Sequence, residues 1–124
     1  MHYRNQIHEK IYTAKVRNNP YHCSNSYLAA LYLLSADVRL WELAKPVIGK
    51  TDILFDEMGV VKCSPMGYTL RKAANDLYTG TSYLALNDLG DSYLVSKKAF
   101  ELIMTALRIS RYGYSYLGIE RKYR

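Results

Sequence analysis

Eight consecutive residues, Tyr27-Leu28-Ala29-Ala30-Leu31-Tyr32-Leu33-Leu34, are apolar, and no other feature constrains the fold as strongly. In a helix such a run leaves no face for water. It is also far short of the roughly 20 apolar residues needed to cross a bilayer. The rest of the chain must therefore wrap around it. With 124 residues, 49% of them apolar, the chain can do so without disulfides or a metal. No Pro/Gly/Ser-rich linker or fixed-period repeat interrupts it, so one domain over residues 1–124 is expected.

Capping residues and apolar spacing place the other elements. A first helix is expected from about Asn5 to Arg17, with Ile7, Ile11 and Ala14 on one face and Asn18-Asn19-Pro20 as its stop. The apolar run belongs to a second, central helix. Ser24 or Asn25 caps it, and it continues to about Ala44. Its buried stripe includes Ser35, Val38 and Trp41, with Asp37, Arg39 and Glu42 turned to water. Between residues 47 and 63 the pattern becomes short and β-branched, as in Val47-Ile48, Ile53-Leu54-Phe55 and Val60-Val61. That predicts a small hairpin or an extended segment. Ser64-Pro65 starts a third helix ending at Gly80, and residues 81–91 read as a loop. A last long helix begins at Ser92 or Ser96 and stops at Gly113. The expected fold is thus mainly α: a compact bundle of about four helices around a central apolar helix.

Motifs for chemistry are sparse. His8, His22, Cys23 and Cys63 lack the close spacing of a zinc site, so no metal or other cofactor is expected. Asp52, Asp56 and Glu57, and later Asp88 and Asp91, could serve acid–base or Mg²⁺ chemistry, but they fit solvated turns better. No phosphate-binding loop or nucleophile elbow is present. The expectation is a protein without catalytic residues. The polar start, Met1-His2-Tyr3-Arg4-Asn5-Gln6, has no signal-peptide core, which points to the cytoplasm and to reduced thiols.

The unusual feature is tyrosine. Thirteen tyrosines accompany two phenylalanines, one tryptophan and a net charge of +6. Toward the C-terminus, Tyr112, Tyr114, Tyr116 and Tyr123 interleave with Arg108, Arg111, Arg121, Lys122 and Arg124. Three readings stay open for this segment. It can bind a nucleic-acid backbone with tyrosines stacking on bases. It can meet an acidic face of another protein. Or it can fold back on the first helix as a solvated tail. The candidate binding residues are Arg108, Arg111, Tyr112, Tyr114, Tyr116, Arg121, Lys122 and Arg124.

Four stretches carry a family resemblance: His8-Glu9-Lys10-Ile11-Tyr12, the apolar helix ending Asp37-Val38-Arg39-Leu40-Trp41, Thr69 through Gly80, and Phe100 through Tyr112. Their order resembles the small-protein family catalogued as domain of unknown function 6075, found in Gram-positive bacteria and their phages. The chain departs from the family pattern at Pro65-Met66-Gly67-Tyr68, at Leu77-Tyr78-Thr79-Gly80 and at Arg111-Tyr112-Gly113-Tyr114. The resemblance implies a phage or mobile-element origin. The leading functional expectation is a non-enzymatic protein that docks on a host protein or ribonucleoprotein, for instance to inhibit a defence nuclease such as a CRISPR effector. No membrane partner is expected. The alternative is a small basic nucleic-acid-binding regulator, and an enzyme ranks third.

Overall fold

The computed structural model describes residues 1–59 and 63–123. Seven α-helices are present among them: α1 (Gln6–Asn18), α2 (Asn25–Leu34), α3 (Val38–Ala44), α4 (Pro65–Thr79), α5 (Leu86–Leu89), α6 (Lys97–Tyr112) and α7 (Tyr114–Leu117). None is long and apolar enough to cross a membrane. Every residue from Tyr27 to Leu34 is buried, as the apolar run requires. α2 packs chiefly on α4 and α6.

Side-chain caps start the main helices where the sequence places them. Asn5, Ser24, Ser64 and Ser96 each accept a hydrogen bond from a main-chain N–H in the first turn. Gly80, with φ +78°, ends α4, and Gly113, with φ +64°, ends α6. A Cβ on Gly113 would also collide with the Asn25 amide, so this position needs glycine twice over.

The central helix is shorter than expected. It stops at Leu34, and Asp37 begins α3 as its N-cap, accepting from Leu40 N–H at 3.0 Å. Asp37 is buried, not water-facing. Its second oxygen accepts from Arg4 at 3.2 Å and from Ser64 Oγ at 3.3 Å. The chain turns where a capping carboxylate can also tie down two other elements. Val38, expected inside, is 60% exposed as a result.

The buried face of α1 is also displaced by one position. His8, Tyr12 and Val16 point inward, while Ile7 is exposed. The polar atoms of the first two find partners. His8 Nδ1 accepts from Arg4 N–H at 3.0 Å, its Nε2 lies 2.8 Å from Tyr32 O, and Tyr12 donates to Leu28 O at 2.9 Å. Satisfied aromatic groups can then outcompete isoleucine for the interior.

Of the hairpin or extended segment expected near residues 47–63, the hairpin does not form among the described residues. Among the described residues the segment has one antiparallel bridge, Ile48 to Ile53, flanked by 3₁₀ turns at Lys45–Val47 and Phe55–Glu57. Tertiary partners replace a second strand. Tyr78 Oη accepts from Ile53 N–H at 3.1 Å, and Arg71 donates to Met58 O and Gly59 O at 3.0 Å each. Ile53, Phe55 and Met58 are buried against the helices. The expectation for Val60 and Val61 lies outside the described residues.

The ends of the helices meet in a definite order. The Ser64–Asp37 bond joins the start of α4 to the α2–α3 junction, just past the end of α2, and Gly113 beside Asn25 joins the end of α6 to the start of α2. Both α4 and α6 therefore run antiparallel to α2 and parallel to each other. The segment from Gly80 to Ser96 must return along the bundle, about 22 Å for the 15 residues of α4. Asp76 fixes its start by accepting from Thr81 Oγ1 and from the N–H groups of Tyr83 and Leu84. The segment is not wholly irregular: it contains the one-turn helix α5, whose start is tied by Asp88 accepting from Ala85 N–H.

Candidate interaction surface

The C-terminal segment is part of the fold. After Gly113 the chain makes α7, and Leu117 buries there. Tyr114 Oη accepts from Cys23 N–H at 2.9 Å, and its ring lies 5.0 Å from that of His22. Arg121 sits over the Tyr114 ring at 4.7 Å and donates to Asn19 O at 3.2 Å and Tyr21 O at 2.7 Å. Lys122 N–H donates to Arg17 O at 2.9 Å. These bonds close the corner between α1 and α2.

The eight candidate residues separate accordingly. Tyr114 and Arg121 face inward and hold the segment in place. Arg108 and Arg111 are exposed on α6, with Arg111 5.7 Å from the Tyr112 ring. Tyr112 is exposed and stacks on half-buried Tyr116 at 6.4 Å. Lys122 is exposed and lies 5.6 Å from the Tyr123 ring. Arg124 lies outside the described residues. The outward cations are thus Arg108, Arg111 and Lys122.

Sequence reasoning missed a groove beside this segment. It has a volume of about 770 Å³ and lies between α1, Trp41 of α3 and the turn at Gly49-Lys50, with Tyr123 on its rim. Lys15 stands 5.7 Å from the Trp41 ring, and Lys50 5.6 Å from the Tyr21 ring. In the sequence the lone Trp41 reads only as a core residue, and Lys15 and Lys50 carry no assigned binding role. Spacing along the chain does not reveal that the three converge.

The buried titratable groups are occupied structurally. Burial pushes the His8 imidazole down to about 4, and an N–H donated to Nδ1 leaves Nε2–H as the donor to Tyr32 O. Burial raises the Cys23 thiol, which donates to Lys50 O at 3.2 Å. Neither group is poised as a base or nucleophile. Cys63 is also a free thiol. Among the described residues, no three His, Cys, Asp or Glu side chains gather closely enough to hold a metal ion.

No family profile, curated protein or solved structure matches this chain.

Proposed function

We propose that this chain is a non-enzymatic binding protein of phage or mobile-element origin that docks on a host macromolecule. The carrying observation is the built-in C-terminal segment. Arg108, Arg111 and Lys122 stand on backbone already ordered by α6, by Arg121 and by the Lys122–Arg17 bond. A surface ordered before contact loses less entropy on binding than a free basic arm. Exposed cations held on ordered backbone raise the local positive potential that steers an acidic partner. The origin rests on the family resemblance, and so does the choice of a host defence nuclease, such as a CRISPR effector, as the target.

A protein partner fits this surface better than bare nucleic acid. Each exposed ring near the cations already meets one of the chain's own groups: Arg111 and Tyr116 at Tyr112, Lys122 at Tyr123. Base stacking on these rings would have to share or displace those contacts.

The test removes charge only where the fold does not use it, as Arg108→Gln/Arg111→Gln/Lys122→Gln. Arg121 is left intact. Capture from host lysate and binding to duplex DNA and RNA are compared at two salt concentrations. The proposal predicts loss of a specific captured protein or ribonucleoprotein, with no direct nucleic-acid binding. Duplex binding that weakens by about 0.9 log unit per log unit of salt for each phosphate contact, and that the substitutions abolish, would favour the nucleic-acid regulator.

A further inference from the structure

The groove beside Trp41 differs in chemistry from the outer face of α6. Ile11, Ala14, Pro20 and Ile48 supply aliphatic wall, while Lys15 and Lys50 are the charged residues that line it. No carboxylate among the described residues lines it. Asp52 shares the turn with Lys50 and packs its carboxylate against Gly49 without itself lining the wall. The ion pairs among the described residues are Arg4–Asp37 and Lys45–Glu42, so neither groove lysine is neutralised. Both amino groups instead lie near rings.

We propose that this groove receives a short acidic segment of a partner protein, with one aliphatic side chain against Ile11 and Ile48 and flanking carboxylates on Lys15 and Lys50. The inference rests on the protein-docking reading and names the chemistry of the partner. Charge complementarity selects an acidic occupant, because two lysines in no ion pair among the described residues line the wall against one nearby carboxylate, Asp52 beside Gly49, and leave it net positive. The rings select an aliphatic anchor over a nucleobase. Within the wall Trp41 is only 7% exposed and Tyr27 only 3%, and Lys15 stands near the Trp41 ring. The one exposed ring, Tyr123 at 41%, lies 5.6 Å from the Lys122 amino group, so the inner wall offers no broad face for stacking. The volume lies within the range of about 300–1,000 Å³ typical of ligand pockets. The groove is open to solvent, so a chain can enter and leave.

The sole tryptophan is in the wall, so its fluorescence reports occupancy directly. The probe is a pool of nonapeptides with a central Leu or Ile flanked by Asp and Glu, titrated into the full chain. Saturable change in Trp41 emission is expected. Lys15→Glu/Lys50→Glu should weaken binding at least about tenfold, as should Ala at the centre of the peptide. Both lysines are exposed, and the structural role of Lys50 belongs to its carbonyl, which accepts from Asn19 and Cys23 and survives substitution. Circular dichroism of the double variant confirms the fold. The inference is overturned if no peptide alters Trp41 emission up to millimolar concentration or if the variant binds equally well. It is also overturned if oligothymidylate, and not the peptides, moves the signal with a steep salt dependence. A silent groove alongside loss of host capture in the Arg108/Arg111/Lys122 variant would sink this inference and leave the docking reading standing. Peptide binding in the groove without any host capture would do the reverse.

Discussion

Five of the thirteen tyrosines in this chain work as staples between elements. Tyr12, Tyr27 and Tyr32 bury their rings and donate to Leu28 O, Gly49 O and His2 O. Tyr78 and Tyr114 accept main-chain N–H groups from Ile53 and Cys23. The ring supplies apolar contact, and the hydroxyl satisfies a backbone group outside a regular ladder. Tyr114→Phe should therefore destabilise the fold by about 1–3 kcal/mol, because it strands the Cys23 N–H. Urea unfolding measures it, and an unchanged midpoint would mean that water replaces the hydroxyl. His8 gives a second prediction at this scale. Burial lowers its folded value from 6.5 to about 4, so between those limits the unfolded chain binds a proton that the folded chain does not. This contribution is complete above about pH 6.5 and is lost as pH falls toward 4, amounting to at most about 3 kcal/mol. The urea midpoint should fall between pH 7 and pH 4.5, and His8→Gln should flatten that dependence. An equal slope in the variant would remove His8 as its source. The tyrosine content was conspicuous in the sequence, but composition does not distinguish a ring that binds a partner from one that binds its own backbone.

Helix starts and stops were legible because each depends on a local residue. Ser64-Pro65, Gly80, Ser96 and Gly113 act where expected. The features that were not legible depend on distant partners. A continuous helix through Asp37 is locally reasonable, and only the approach of Arg4 and Ser64 makes the carboxylate worth burying there. The inward face of α1 likewise depends on acceptors on α2, namely Leu28 O and Tyr32 O. The segment after Pro46 was β-branched enough for a hairpin, yet Tyr78 and Arg71 take the backbone groups that a strand would have paired. Asp37 provides the test at this scale. Asp37→Ala should cost about 1–2 kcal/mol for the cap alone and more for the lost Arg4 contact. Asp37→Asn retains a capping oxygen and should recover part of it. Equal losses in thermal unfolding would show that the cap contributes little and the charge dominates.

At the scale of the whole molecule, α4 and α6 pack antiparallel against the apolar run of α2, and two connections lie outside them. One is the return segment from Gly80 to Ser96, which turns Leu86 and Tyr93 almost wholly to solvent. The other is the C-terminal segment, which crosses the corner of α1 and α2. Its basic, aromatic character was legible in the sequence. The division of labour within it was not, because Arg121 and Arg108 look alike until Asn19 O and Tyr21 O come within reach of one of them. The groove was hidden for the same reason, since Lys15, Trp41 and Lys50 converge only in three dimensions. The docking proposal depends on that segment being ordered before a partner arrives. Amide hydrogen exchange at Lys122, in the free protein, tests this most directly. The Lys122 N–H bonded to Arg17 O should exchange far more slowly than an unstructured amide, and Tyr114→Phe should speed it. Exchange at the unprotected rate in the unaltered chain would show a free basic arm and contradict the preformed surface.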